Sequence, residues 1–243
     1  FTAGVIKALM EDPRFRNGDV EIVGVSGTSS GAQNGAILVD KLKTKGPDGV
    51  IQGHKAYWDD VKALGRPLEL SPIIGFWSRL PNLPQFALNY AAFYASLMGQ
   101  KPDQILKDLV MPRIENWETL GDGEPFLVTN AVKEDRQTGE ISHVIFREHT
   151  PDNLIASANL RINGPVILDG DYYYDGAEAH NPVLEPLEDI DGVTDILVIN
   201  LHKIPGEHYV PMHQDDIPHA THMKKGDMIT HQIASHLAHI HEN

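Results

Sequence analysis

The amino-acid sequence predicts an α/β fold in three layers, with a mostly parallel central sheet flanked by helices. Helical and strand-like segments alternate along the chain, and two short apolar runs, residues 20–25 and 194–201, are typical of buried parallel strands. A Gly/Ser-rich turn joins the first of these runs directly to a helical segment. At 243 residues, of which 41% are hydrophobic and 22% charged, the chain has the composition of a globular protein. We expect one domain over residues 1–243.

The predicted helices are segments in which apolar residues recur every three or four positions. They are 2–10, 32–43, 51–64, 86–98, 105–117, 152–158 and 226–241. Pro112 is expected to interrupt the fifth of them, because a proline inside a helix removes a backbone hydrogen bond. The prolines between Arg66 and Pro84 predict that regular structure is broken there.

The predicted strands are short runs rich in β-branched and aromatic residues. They are 20–25, 126–132, 142–146, 166–168, 172–174 and 194–201. A polar turn over residues 133–140 predicts that the second and third strands form a hairpin. The pair Asp169-Gly170 predicts another hairpin, between the fourth and fifth strands.

The balance of charges and the absence of cysteine exclude several kinds of function. Twenty Lys and Arg against 34 Asp and Glu give a net charge of −14, which repels phosphate backbones and gives no general attraction to anionic lipids. We therefore expect no nucleic-acid partner, and any membrane contact has to be local and apolar. Without cysteine there is no disulfide, thiolate zinc site, iron–sulfur cluster or cysteine nucleophile. The longest apolar stretch, residues 86–98, is shorter than the ~20 residues that a membrane-spanning helix needs.

Both ends of the chain predict a piece of a longer protein. The sequence starts at Phe1 within one amphipathic helical pattern and stops at Asn243 within another. It contains no recognisable signal peptide or polybasic anchor. We therefore expect a cytoplasmic protein or one that is peripheral to a membrane, and secretion stays open.

A candidate catalytic nucleophile lies at the turn after the first predicted strand. The pentapeptide GTSSG, residues 27–31, matches the G-x-S-x-G pattern of a nucleophile elbow with Ser29 at its centre. Such a serine is held on a strained turn, and the helix that follows favours the negative charge that develops during attack. Gly27 and Gly31 are expected to be glycine because side chains there would clash with the adjoining strand and helix.

A serine nucleophile needs a base, and Asp175 is the candidate. With Gly176 it ends a short predicted strand, so its carboxylate is expected to project from a strand end beside a turn. The Asp175 segment and the elbow around Ser29 each also have a purely structural interpretation. An Asp-Gly pair taken alone is most often a turn former, and the small polar residues of the elbow often only cap a helix. Capping or turn formation is the role expected of Ser26, Thr28 and Ser30.

Three segments, in this order and with similar spacing, carry a family resemblance. They are residues 3–9 (AGVIKAL), residues 27–31 (GTSSG), and residues 157–177, which end in YDGA and are followed by Asn181-Pro182. These segments resemble the first helix, the nucleophile elbow and the aspartate-containing block of the patatin-like phospholipase family. Residues 50–150 carry no recognisable motif of that family.

The resemblance implies a patatin-like lipid acyl hydrolase that works with a Ser–Asp dyad. Ser29 would attack an ester carbonyl of a phospholipid or other lipid, Asp175 would accept its proton, and water would release the fatty acid from an acyl-enzyme. In this family the oxyanion hole is a glycine-rich loop before the first helix. Its donors, and the strand that precedes them, are therefore expected before Phe1. The resemblance also implies transient contact with a membrane or micelle surface, and no cofactor.

Two other functions stay open on the same fold. One is a soluble carboxylesterase or thioesterase, and the other is a catalytically inactive binding protein. The apolar helix predicted over residues 86–98 is expected to pack in the core, or alternatively to line an acyl-chain channel beside Ser29.

Histidines suggest two further alternatives near the end of the chain, where nine of the 13 lie at or after His202. The order Ser29, Asp175, His202 would suit a catalytic triad, although only one predicted strand precedes the elbow. The i,i+3 pairs are His219 with His222 and His236 with His239. No carboxylate is placed to complete a metal site at either pair, so we expect an exposed histidine-rich helix and no metal.

Overall fold

The computed structural model describes residues 1–69, 102–181, 183–188 and 190–199. Its α-helices are α1 (Thr2–Glu11), α2 (Pro13–Arg16), α3 (Ser30–Glu69), α4 (Pro102–Val110), α5 (Pro151–Ala156) and α6 (Glu185–Glu188). Its strands are β1 (Gly24–Gly27), β2 (Phe126–Glu134), β3 (Ile141–Phe146), β4 (Val166–Leu168) and β5 (Asp171–Asp175). Short 3₁₀ helices cover Met111–Arg113, Arg161–Asn163 and Gly176–Glu178.

The five strands form one mixed sheet flanked by helices. The strands are ordered β1-β2-β5-β4, and β3 also pairs with β2. Within the described ranges, β1 with β2 is the one parallel pair, and the other three pairs are antiparallel. The α/β content is therefore confirmed, but the predicted mostly parallel arrangement is wrong for this part of the chain. Two of the antiparallel pairs are hairpins, whose short turns can only join strands that run in opposite directions.

The central strand β2 brings the ends of β1 and β5 together. β3 and β5 both pair with residues 131–134 of β2, so they occupy opposite edges of that strand. β1 and β3 both pair with Thr129, so these two also lie on opposite edges. It follows that β1 and β5 share one edge of β2. β1 runs along it in the same direction as β2 and β5 in the opposite direction, so their carboxyl ends meet.

Both predicted hairpins are confirmed, and two predicted strands need correction. Asp169 and Gly170 have φ values of 52° and 92°, as the tight turn between β4 and β5 requires. The strand predicted over residues 20–25 is instead Gly24–Gly27 and is not fully buried, because the register with β2 begins at the pair of Gly24 with Phe126. Upstream of it, the carbonyl of Val23 still accepts the N–H of Phe126 at 3.3 Å. The strand predicted over 194–201 is also wrong as far as Ile199, since residues 194–199 do not pair with the sheet. Residues 200 and 201 lie outside the described part.

Most helix predictions agree with the structure, with changes at their ends. The two helices predicted over 32–43 and 51–64 belong to α3, which is interrupted at Gly46, where φ is 67°. Helix α3 continues past Pro67 to Glu69, so the expected break in regular structure is wrong for residues 66–69. The predicted interruption at Pro112 is confirmed, because α4 ends at Val110 and a 3₁₀ turn follows. The helices predicted over 86–98 and 226–241 lie outside the described residues.

Buried apolar residues join the helices to the sheet in three clusters. One cluster links α3 and α4 to β2 and α5, and a second links α1 to α3 and to Val25 of β1. The third holds α5 against the hairpin strands through Ala131, Ala156 and Tyr173. None of the helices in the described ranges is both long and apolar enough to cross a lipid bilayer.

Candidate active site

The turn between β1 and α3 has the geometry of a nucleophile elbow. Ser29 lies between the last residue of β1 and the first residue of α3 and has a φ of 59°, which is unusual for a residue other than glycine. A Cβ atom added at Gly27 would overlap the backbone of Gly31 and Ala32, so a side chain there is excluded. The same reason was expected for Gly31 and is wrong, because a Cβ atom at that position meets nothing within 4 Å.

Ser29 and Asp175, the two predicted catalytic residues, are in direct contact. The Ser29 Oγ donates a hydrogen bond of 2.7 Å to Oδ2 of Asp175. Ser29 is half-buried, whereas Asp175 is only 1% exposed. The structure therefore places a hydroxyl that solvent can reach against a carboxylate that it cannot.

Local hydrogen bonds hold the Asp175 carboxylate in place. Asp175 is the last residue of β5, and its backbone N–H donates to the carbonyl of Asn159 at 2.7 Å. Its second carboxylate oxygen, Oδ1, accepts the N–H of Ala177 at 2.8 Å and so caps the 3₁₀ turn that follows. Gly176 has a steric reason to be glycine, because a Cβ atom there would overlap the backbone oxygen and side-chain amide of Asn130.

The structure adds residues to the site whose contribution the sequence analysis missed. Ser157 is fully buried, and its hydroxyl accepts the backbone N–H of Ser29 at 3.2 Å. Thr28 was expected to be a capping or turn residue, but its hydroxyl donates to the Asn130 side chain at 2.6 Å. Asn130 did carry a signal: it is a polar residue in a predicted apolar strand, and a buried amide needs hydrogen-bond partners.

Two histidines lie beside Asn130. The rings of His143 and His180 are in contact, with centroids 4.3 Å apart and their planes tilted by 49°, and His143 Nε2 is 3.1 Å from the Asn130 side-chain nitrogen. Burial lowers the pKa of His143, nearby His180 lowers it further, and Glu185 raises it. The lowered pKa favours the neutral ring at neutral pH, and its Nε2 accepts a hydrogen bond from the amide when the ring proton is on Nδ1.

The other histidines of interest lie outside the described residues. This applies to His202 of the alternative triad and to the i,i+3 pairs 219/222 and 236/239, which were expected to lie on a histidine-rich helix without a metal. Within the ranges that the structure describes, no three His, Asp or Glu side chains are grouped so that they could hold a metal ion. Among the predicted site residues that the structure describes, Ser29 and Asp175 are the pair whose side chains are in direct contact.

A large cavity reaches Ser29. Its volume is about 1010 Å³, and its walls come from α1, β1, the start of α3 and residues 184–199. Many of the lining side chains are aliphatic or aromatic, among them Leu9, Phe15, Val25 and Leu187. All four residues of β1, Gly24–Gly27, line the cavity.

Comparison with protein-family models and with curated proteins found no match to this chain. A functional interpretation therefore depends on the geometry of the site. That geometry consists of a serine on a strained strand-to-helix turn, a buried carboxylate that accepts its hydrogen bond, and an apolar cavity at the same turn.

Proposed function

We propose that the protein is a serine ester hydrolase that cleaves acyl esters of phospholipids or other lipids, with Ser29 as nucleophile and Asp175 as base. The observation that carries this proposal is the 2.7 Å hydrogen bond from the Ser29 hydroxyl to the Asp175 carboxylate. This distance is within the ~2.6–3.2 Å over which a base takes a proton directly. The resemblance of the same two segments to patatin-like phospholipases supports the choice of reaction.

The proposed reaction has two halves. In the first, Asp175 Oδ2 takes the Ser29 proton while Oγ attacks the ester carbonyl carbon. The tetrahedral intermediate then expels the alcohol, which receives the proton from Asp175, and leaves an acyl group on Ser29. In the second, Asp175 takes a proton from water, the hydroxide attacks the acyl-enzyme, and collapse returns the proton to Ser29 and releases the carboxylic acid.

The start of α3 supports stabilisation of the negative charge on the intermediate. Ser30 is the first residue of α3, and its N–H belongs to the turn for which a helix supplies no acceptor. In hydrolases with such an elbow, the N–H of the residue after the nucleophile donates to the oxyanion. We assign this role to Ser30, and the further donors are expected in the glycine-rich loop that the family resemblance implies before Phe1.

The cavity beside the elbow supports an acyl chain as part of the substrate. Aliphatic lining residues such as Ile6, Leu9 and Leu187 favour a hydrocarbon group over a sugar or a phosphate. A cytoplasmic or membrane-peripheral location, with transient contact to a lipid surface, is part of the same proposal.

Labelling with a fluorophosphonate probe tests the proposed nucleophile. We expect the probe to modify Ser29 of the protein, which mass spectrometry of the Ser29 peptide checks. Ser29→Ala is expected to abolish labelling. Asp175→Asn is expected to reduce it by at least ~10²-fold, because general-base catalysis contributes about 10²–10⁴-fold. Hydrolysis of p-nitrophenyl esters with acyl chains from acetyl to palmitoyl, measured in parallel, tests the substrate class.

The controls separate this function from the alternatives. Circular dichroism of both variants shows whether they fold, since a loss of structure would also stop labelling. A label on another serine, or an active protein that is not labelled, would exclude Ser29 as nucleophile. A preference for acetyl esters would favour a soluble esterase over a lipid hydrolase.

A further inference from the structure

Asn130 occupies the one position of β2 between the ends of the two strands that carry the candidate dyad. Gly27, the last residue of β1, pairs with Thr129, and Asp175, the last residue of β5, pairs with Ala131. Since β1 and β5 share this edge of β2, the residue between Thr129 and Ala131 lies where their ends meet. That residue is Asn130, which is 1% exposed.

The side-chain amide of Asn130 bonds to the loops on both sides. Its Oδ1 accepts the hydroxyl proton of Thr28, the residue before Ser29, at 2.6 Å. Its Nδ2 lies 2.9 Å from the carbonyl oxygen of His180 and 3.2 Å from that of Gly176, the residue after Asp175. One buried amide therefore connects the neighbours of both candidate catalytic residues.

The surroundings of Asn130 leave it one orientation. Thr28 presents a hydroxyl donor to Oδ1, whereas Nδ2 faces two carbonyl oxygens, which can only accept hydrogen bonds. The Nε2 of His143 is 3.1 Å from the same nitrogen. Turning the amide over would bring its oxygen against the two carbonyl oxygens. The backbone of Gly176 is packed against the amide so closely that a Cβ atom would not fit.

We infer that Asn130 is a positioning residue, a clamp that sets the distance between the Ser29 hydroxyl and the Asp175 carboxylate. This inference rests on the proposed function, because the distance matters only if the two groups react together. A misplacement of about 1 Å in a catalytic pair costs on the order of 10²-fold in rate. The bond from Ser29 to Asp175 joins residues 146 positions apart, so it depends on contacts of this kind between the two loops.

Two variants each remove one partner of the hydrogen bond between Thr28 and Asn130. Asn130→Leu keeps a side chain of similar size without hydrogen bonds, and we expect it to reduce kcat on a medium-chain p-nitrophenyl ester by about 10²-fold. Thr28→Val removes one of the bonds with little change in shape, and we expect a reduction of about 10-fold. In both variants KM should change by less than about 3-fold, because Asn130 is buried and is not among the residues that line the cavity.

Further variants separate positioning from a general loss of stability. Thr28→Ser restores the hydroxyl, so we expect it to recover most of the activity that Thr28→Val loses. Val50→Ala removes a buried methyl pair in the cluster between α1 and α3 and should lower stability without changing kcat of the folded protein. The double variant Thr28→Val/Asn130→Leu should be no slower than Asn130→Leu, because both changes remove the same bond.

The outcomes distinguish the clamp from the proposed function. If the parent protein is not labelled at Ser29 by a fluorophosphonate, the proposed function is wrong and this inference is lost with it. If the parent is labelled and the folded Thr28→Val and Asn130→Leu variants are as fast as the parent, only the clamp is wrong. Should Asn130→Leu fail to fold, Thr28→Val and Thr28→Ser still decide between these outcomes.

Discussion

Ser29 and Asp169 are the non-glycine residues with a positive φ in the described part of the chain. Asp169 is in a hairpin turn, where aspartate is a common solution to that conformation. Ser29 is not in a hairpin turn, and serine is not a residue type that commonly adopts a positive φ. Its β-carbon in the left-handed region costs about 1–2 kcal/mol. A strained backbone at a residue that also contacts a buried carboxylate is typical of a functional site rather than of a simple helix cap.

Replacing Ser29 by glycine and by alanine measures this strain. Both variants lose the hydroxyl and its bond to Asp175, so they differ only in the β-carbon. We expect Ser29→Gly to be more stable than Ser29→Ala by roughly 0.5–1 kcal/mol. The relief of about 1–2 kcal/mol exceeds the entropic cost of glycine in the unfolded chain, which is about 0.4–1 kcal/mol. Urea unfolding monitored by circular dichroism checks the difference. An alanine variant that is more stable than the glycine variant by the entropic cost of about 0.4–1 kcal/mol would show that Ser29 is not strained.

At the junction of β1 and α3, two glycines that look alike in the sequence differ in their surroundings. Gly27 ends the strand, and its missing side chain leaves room for the first turn of the helix. Gly31 lies in that first turn and faces open space. The pattern G-x-S-x-G therefore contains one glycine with a steric role at this junction and one without.

The paired variants Gly27→Ala and Gly31→Ala test this difference. Gly27→Ala is expected to destabilise the protein by about 1–3 kcal/mol, because the new methyl group overlaps backbone atoms that cannot move independently. Gly31→Ala is expected to leave stability unchanged or raise it by up to ~1 kcal/mol, since alanine favours the helix over glycine. Thermal unfolding of the two proteins under the same conditions is the measurement. Equal destabilisation would contradict the assignment of the helix start at this turn.

The predicted helices and strands show which local sequence signals were sufficient to predict an element of the fold. The hairpins were predictable because the turns Asp169-Gly170 and 133–140 contain the residues that such turns require. The extent of β1 was not, because a strand exists only where a neighbour offers hydrogen bonds, and β2 pairs with residues 24–27. For the same reason the apolar run from Thr194 to Ile199 did not identify a strand.

Across the whole molecule, two buried histidines connect stability to pH. His54 has both ring nitrogens near backbone carbonyls, those of Val50 and Asn34, and His149 Nε2 is 2.9 Å from the carbonyl of Leu127. The Nδ1 of His149 is buried and has no hydrogen-bond partner among the residues that the structure describes, so a proton there would be costly. Burial lowers the pKa of both histidines, and the carbonyl contacts offset this only in part.

These shifts predict that the protein loses stability in mildly acidic solution. In the unfolded chain, His54 and His149 bind protons near pH 6.5, whereas in the folded protein they bind them only at lower pH. Between these values the unfolded state holds more protons, so the free energy of unfolding falls as pH falls. The limiting slope is about 1.4 kcal/mol per pH unit for each histidine. Urea unfolding at pH 7.5, 6.5 and 5.5 measures it.

A non-titrating side chain identifies the source of this slope. Gln is able to replace the hydrogen bond from His149 to the Leu127 carbonyl but takes up no proton in this range. We expect His149→Gln to have a shallower slope than the parent, whatever its stability at pH 7.5. Carboxylates of the unfolded chain titrate near pH ~4, below the range measured. An unchanged slope would show that His149 is not responsible.

The kinds of groups at the site are determined locally and were visible in the sequence. A serine between small residues at a strand-to-helix turn, and an aspartate at the end of a hairpin strand, depend on neighbours a few positions away. Whether the two side chains meet depends on the sheet, in which β1 and β5 share one edge of β2 and end at Asn130. Such pairings join residues far apart along the chain, and no local pattern of hydropathy or turn residues specifies them. The 2.7 Å contact, the contribution of Asn130 and the pairing of β2 with β1 and β5 therefore follow from tertiary packing.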